Sequence, residues 1–141
     1  MKRCVMIMLC LSLFWGCSDS STDNDSFSFE ILPIATVDMP ETLVNNDVNR
    51  ITFSYNVPSS CHTFSDLYYI ENGNQRTIAV VNLVTESFGS NQQCESYTDI
   101  IDERGFDFFA PPGFDSIIFN FWQGEDEAGN DIYYTVEIPV E

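Results

Sequence analysis

Positive charge is nearly missing from this chain. Of its 141 residues only 5 are Lys or Arg, against 22 Asp or Glu, for a formal net charge of −17 at pH 7. A surface this acidic repels phosphate backbones and removes nucleic acid as an expected partner. It also disfavours direct docking on an anionic bilayer. Histidine occurs once, at His62, so the His-Glu-x-x-His zinc motif is excluded. Neither a Gly-x-Ser-x-Gly nucleophile elbow nor a phosphate-binding glycine loop occurs in the sequence. No segment sustains a 3.6-residue apolar period with helix caps, so long amphipathic helices are not expected. The longest apolar run, Cys4 to Trp15 broken only by Ser12, is shorter than the roughly 20 residues that cross a bilayer as a helix.

What is present begins with export. Lys2 and Arg3 precede that apolar run, the order of a basic n-region and an h-region, so residues 1–16 read as a signal peptide. An ordinary cleavage site wants small residues at −1 and −3, and Phe14 stands at −3 from Cys17. The segment Leu13-Phe14-Trp15-Gly16-Cys17 instead resembles the lipobox of bacterial lipoproteins, with a small residue directly before a cysteine. It departs from the usual pattern at Phe14 and Trp15, where the lipobox prefers Leu and a small residue. The resemblance implies a diacylglycerol on Cys17, and therefore the membrane as a partner through lipid. Residues 17–32 then form the lipidated cysteine and a flexible acidic tether, because SDSSTDNDSFSFE at 18–30 is almost free of aliphatics. A Ser/Asp-rich stretch right after the lipidated cysteine resembles the export signal of Bacteroidota surface lipoproteins. That implies an outer-membrane lipoprotein on the cell surface, with the periplasmic face as the alternative.

Five cysteines are present. Cys4 and Cys10 leave with the signal and Cys17 takes lipid. Cys61 and Cys94 remain, and in an oxidising exported compartment such a pair reads as a disulfide. Two lone cysteines with only His62 nearby make a poor metal site.

Residues 33–141 read as one all-β domain. Arg50 to Val57 alternates, with Ile51, Phe53, Tyr55 and Val57 on one face, the period of a half-buried strand. Phe64–Glu71 and Gln75–Val84 flank the turn signal Asn72-Gly73-Asn74. The second of these is apolar on both faces and reads as central. Tyr97–Phe109 gives one strand, or a pair broken at Gly105. Pro111-Pro112-Gly113 marks a turn. Ser116–Trp122 points Ile117, Phe119 and Phe121 inward, and Ile132–Val140 points Ile132, Tyr134, Val136 and Ile138 inward. With Ile34–Met39 as the first, about seven short strands result, the pattern of a two-sheet antiparallel sandwich. Alternating strand directions would bring loops 57–63, 85–96 and 123–131 to one pole, with Cys61 and Cys94 in adjacent loops.

The run from Pro112-Gly113-Phe114 through Ile117, Phe119 and Phe121 to Glu125-Asp126-Glu127-Ala128-Gly129-Asn130 resembles the last hairpin of bacterial immunoglobulin-like domains. Gly129 and Asn130 tolerate the positive φ that a tight turn requires. The resemblance implies an immunoglobulin-like sandwich. The whole chain is similar to the small uncharacterised lipoproteins of Bacteroidota.

Candidate sites follow from residue type. Glu125, Asp126, Asn130 and Asp131 form the densest oxygen cluster, and hard cations such as Ca²⁺ take six to eight oxygen ligands. Ca²⁺ is the one cofactor to consider, although the EF-hand spacing is absent. Trp122, Tyr133, Tyr69 and Tyr68 are aromatics not assigned inward. Trp122, Tyr133 and Tyr69 are the candidates for a sugar-stacking platform. His62, beside Ser59 and Ser60, reads as structural rather than catalytic. Asp115-Ser116-Ile117 resembles the three-residue O-glycosylation motif of Bacteroidota. The chain is expected not to be an enzyme but a binding or scaffolding module for a protein or a glycan. Ca²⁺-dependent binding through the 123–131 hairpin is the alternative, and a hydrolase the remote one.

Overall fold

The computed structural model describes residues 27–85 and 93–141. The expected signal peptide, Cys17, the expected tether as far as residue 26, and most of the expected 85–96 loop lie outside the described residues. Eight strands occur: β1 (Phe27–Leu32), β2 (Ile34–Asp38), β3 (Val48–Asn56), β4 (His62–Asn72), β5 (Gln75–Thr85), β6 (Ile101–Phe109), β7 (Ser116–Glu125) and β8 (Asp131–Pro139). They form an all-β two-sheet sandwich. One layer is β2-β3-β6, and the other holds β1, β4, β5, β7 and β8.

The alternation read in β3 and β7 is what builds the core. Ile51, Phe53 and Tyr55 face Ile117, Phe119 and Phe121, and none of the six is more than 2 % exposed. Two T-related rings, Phe108 of β6 and Phe119 of β7, join the layers at a centroid distance of 5.1 Å. The Tyr55 hydroxyl donates to the Asp102 carboxylate at 2.8 Å, and burial, with Asp102 beside it, pushes that phenol up to about 12.

Three details differ from the sequence reading. First, the last six residues of the expected tether are a strand. Phe27, Phe29 and Ile31 alternate with Ser28 and Glu30, and β1 pairs antiparallel with the second half of β5, Phe27↔Thr85 to Leu32↔Val80. Pro33 then interrupts the ladder, since it has no N–H to give, and the chain crosses to the other layer as β2. Second, one seam is parallel. β6 belongs to the opposite layer, so β7 re-enters the five-stranded sheet in the same direction as β5, pairing Gln75↔Ile118 to Ile78↔Phe121. A parallel neighbour needs such a crossover. Third, Ile132 and Tyr134 are 43 % and 45 % exposed. They lie on β8, an edge strand of the wider layer, and β2 of the three-stranded layer stands beside Tyr134 across an open groove without covering it.

β5 is central, as its apolar run implies. One edge is taken along its length by β4, and the other is shared by β7 and β1. Gly105 does not break β6. It pairs with Thr52, and a Cβ there would come within 2.9 Å of the Arg50 guanidinium and of the Ile51 carbonyl oxygen. The residue is glycine because the Arg50 side chain crosses it on the way to Asp107, 2.7 Å away.

The disulfide Cys61–Cys94 is formed, with Cα atoms 5.4 Å apart. Around it the two loops exchange backbone bonds: Ser60 N–H to Glu95 C=O at 2.9 Å and Tyr97 N–H to Pro58 C=O at 2.8 Å. Because β7 runs parallel to β5, the 123–131 hairpin leaves the sandwich at the same end as these loops.

Candidate functional site

The edge of β5 passes from β7 to β1 between Ile78, the partner of Phe121, and Val80, the partner of Leu32. At this fork, on the outer face of the five-stranded sheet, β5 presents only the short side chains of Thr77 and Ala79. Larger residues stand around them. Trp122 of β7 and Tyr133 of β8 are cross-strand partners, and Tyr68 of β4 is the partner of Ala79. Together with Ile31 of β1 they enclose a cleft of about 300 Å³. Glu125 and Asp131, at the base of the last hairpin, close one side. A concave, mostly apolar surface with a few convergent polar groups is what a small-ligand site requires.

Asp131 organises the rings. Its carboxylate accepts from the Trp122 indole N–H at 2.7 Å and from the Tyr133 hydroxyl at 3.3 Å. Both aromatic donors are thereby spent on the protein. The Tyr133 phenol is raised from its ordinary value by partial desolvation, then by the Asp131 charge and hydrogen bond, and by Tyr68. The nearest apolar surface continues along β1, where Phe27 and Phe29 are each 62 % exposed and meet edge to face at 6.1 Å.

The sequence platform is therefore corrected at one position: Trp122 and Tyr133 come together, with Tyr68 and not Tyr69. A bulge between Phe64 and Asp66 reverses the parity of β4. Phe64 and Leu67 both pack on the core although they are an odd number of residues apart. Beyond the bulge Tyr68 points outward and Tyr69 inward. Tyr69 lines a separate cleft of about 410 Å³ between the β4 and β6 edges, with Phe106, Phe108 and Arg76. Burial, moderated by the Arg76 charge, pushes the Tyr69 phenol up to about 12. Arg76 is itself buried at 3 % exposure. One terminal nitrogen donates to the Gly73 and Gln75 carbonyls, each at 2.8 Å, and the guanidinium lies 5.8 Å from the Phe108 centroid. It caps the β4–β5 turn.

The acidic hairpin has a structural use. The Asp126 carboxylate accepts from the Ala128 N–H at 2.8 Å, the Asn130 N–H at 2.9 Å and the Asn130 side-chain amide at 3.0 Å, while Gly129 takes φ 80°. Glu125, Asp126, Asn130 and Asp131 are not brought together as a cation cage. Asp126 faces the turn, Asp131 holds two rings, and among the described residues no group of three or more His, Cys, Asp or Glu is placed to hold a metal ion. The Asn130 side chain, with the turn N–H groups, holds the Asp126 carboxyl below its ordinary 3.8. A depressed carboxyl stabilises the fold above the unfolded value and loses that contribution as pH falls through the folded one. Carboxyl NMR should place the Asp126 midpoint below 3.8 in the wild type and return it toward 3.8 in Asn130→Ala. A wild-type midpoint at or above 3.8 would remove this account of the turn.

His62 is more engaged than its sequence context suggested. Its Nδ1 is 2.8 Å from the Ser59 hydroxyl and its Nε2 is 2.8 Å from Glu30 Oε2. A hydroxyl, an imidazole and a carboxylate in series form the outline of a nucleophilic relay. The surroundings are those of a tie. Ser59 is 8 % exposed, its oxygen also accepts the Cys61 N–H at 3.2 Å, and neither Ser59 nor His62 lines either cleft described above. Glu30 lay in the expected tether, where no local pattern marks a partner for His62. Ser116, in the glycosylation-like triplet, is half-buried at the start of β7 and donates its hydroxyl to Glu137.

No protein-family model matches the chain, and neither the curated proteins nor the solved structures contain a match to it.

Proposed function

We propose that this chain is a surface-displayed, lipid-anchored binding module without enzymatic activity, and that it holds a glycan in the cleft where β1 and β7 part along β5. One observation carries the reading: Trp122, Tyr133 and Tyr68, from three strands, surround one cleft on an otherwise exposed sheet face. Aromatic rings offer flat apolar surfaces to the C–H faces of sugars, with a polar edge close by. The cleft lies on regular strands rather than on loops, and Asp131 fixes two of the rings, so little order is lost on binding. The anchor is the lipid expected on Cys17. The stretch from Cys17 to Phe27 reaches at most about 35 Å when extended, which keeps the sandwich near the membrane with its cleft open to large polymers.

Trp122 is one of only 2 tryptophans, the other being Trp15. Cleavage ahead of Cys17 removes Trp15, so the fluorescence of the mature protein reports on the cleft. Titration with neutral and amino-sugar oligosaccharides should perturb the Trp122 emission saturably, and Tyr68→Ala should weaken binding by about thirtyfold, as loss of a central aromatic anchor does. Tyr69→Ala should leave affinity unchanged. Equal effects of Tyr68→Ala and Tyr69→Ala would defeat the assignment of the cleft. A protein partner is the second reading, favoured by the exposed Phe27 and Phe29 beside the cleft. It predicts that Phe27→Ser and Phe29→Ser, and not Tyr68→Ala, abolish partner capture.

A further inference from the structure

We infer that the cleft selects a ligand carrying a positive charge, an organic ammonium such as the free amine of an amino sugar. This rests on the reading of the cleft as a glycan site and narrows it.

The cleft offers more acceptors than donors. Its two best donors, the Trp122 indole N–H and the Tyr133 hydroxyl, are consumed by Asp131. What remains is two hydroxyls, of Tyr68 and Thr77, beside a larger set of acceptors and π-faces: the Glu125 carboxylate, the free lone pairs of Asp131 and the three rings. A neutral sugar hydroxyl both donates and accepts, and only the Tyr68 and Thr77 hydroxyls could donate to it here. An ammonium only donates, and it is attracted both by carboxylates and by the negative faces of aromatic rings.

Among the described residues no cation of the protein competes. Arg50 is paired with Asp107 at 2.7 Å. Arg76 is buried against the β4–β5 turn. Arg104 contacts Asp102 at 2.9 Å and lies over Phe64 at 4.8 Å. All three sit toward the core or the β3–β6 side, none lines the cleft, and the only other basic side chains, Lys2 and Arg3, belong to the signal segment. The field at the cleft is therefore the field of Glu125 and Asp131 within a chain of net charge −17.

Trp122 fluorescence of the mature protein, from Cys17 onward, tests this with four probes: a glucosamine tetramer, its N-acetylated counterpart, a glucose tetramer of the same linkage, and choline. The glucosamine tetramer should bind about ten- to a hundredfold tighter than either neutral tetramer. That margin should shrink as salt rises. Glu125→Gln, which keeps shape and removes charge, should erase most of the preference while leaving the melting temperature unchanged. Asp131→Asn is the second charge variant, read together with its melt because it also touches the rings. Equal affinity for all three tetramers would overturn the charge selection and leave the glycan site standing. Tight choline binding without any tetramer binding would keep the ammonium chemistry, place its source in a lipid headgroup or free amine, and overturn the glycan. No response of Trp122 to any probe would overturn both.

Discussion

Phe119→Ala should cost the sandwich about 3–5 kcal/mol, the range for removing a fully buried aromatic side chain. Phe119 is 0 % exposed and has a partner in each direction. Across the layers it meets Phe108 at 5.1 Å, and along its own strand it stacks on Phe121 at 5.9 Å. Neither neighbour is free to fill the space left behind. The Phe108 ring is itself packed beneath the Arg76 guanidinium, and Phe121 is held by β8 through Tyr134, 6.4 Å away. The cavity therefore stays open, and its cost adds to the lost transfer energy. Against a total stability of about 5–15 kcal/mol, this is a large share. Equilibrium urea unfolding measures it. Phe109→Ala, on the same sandwich but 56 % exposed, serves as the control and should change stability by no more than about 0.5 kcal/mol. A loss below about 1 kcal/mol for Phe119→Ala would mean that the two layers are not joined through this ring.

The inward positions of β3 were legible because a period of two is unambiguous when the apolar face is Ile, Phe and Tyr and the other face is Arg, Thr, Ser and Asn, and β7 followed from Ile117, Phe119 and Phe121 although Ile118 and Trp122 stand on its other face. The class of fold followed from that period and from the turn residues at Gly73, Pro112 and Gly129. What the sequence hid has a physical cause in each case. β1 was concealed by composition, since Ser28 and Glu30 sit among residues that otherwise look like a tether, and a short strand bound on one side needs few aliphatics. The parallel seam was concealed because pairing partners are set by which layer β6 occupies, a choice that no local pattern records. β5 was read as apolar on both faces from Ile78 to Val84, yet its core-facing positions include the polar Arg76 and Asn82, both buried. Asn82 is 0 % exposed and its amide atoms have no hydrogen-bond partner among the described residues.

The same logic separates the parts of the cleft. Trp122 and Tyr133 were accessible to sequence reasoning because each stands opposite an inward run in its own strand. Tyr68 and Tyr69 are adjacent, and only the bulge at Phe64/Asp66 decides which of them faces outward. Ala79 and Thr77 could not be singled out at all. Their contribution is smallness at a fork, a property of three strands at once. Asp126 and Asp131 looked equivalent as oxygen donors, but hydrogen bonds give one to the turn and the other to the rings.

Reduction of Cys61–Cys94, or its replacement by Cys61→Ala with Cys94→Ala, should lower stability by about 3–4 kcal/mol. The cysteines are 33 apart in sequence, and closing a loop of that length removes roughly this much entropy from the unfolded chain. Local interactions do not substitute for it. The backbone bonds between the two loops, Ser60 to Glu95 and Tyr97 to Pro58, form only once the loops are already adjacent, and Cys61 itself is buried at 2 % exposure. Parallel urea melts with and without reductant measure the loss, and the alanine pair should show no further response to reductant. A change under about 1 kcal/mol would show that the loops are held by their backbone bonds alone. The effect has a direction within the molecule. His62 ties this pole to Glu30 of β1 at 2.8 Å, and the next residue of β1, Ile31, lines the aromatic cleft. Loosening the pole should therefore reach the β1 side of the cleft before the Trp122–Tyr133 side, which is held through Asp131 by the last hairpin. Hydrogen exchange resolves that order: protection should fall first at the β1–β5 pairs and last at the β7–β8 pairs.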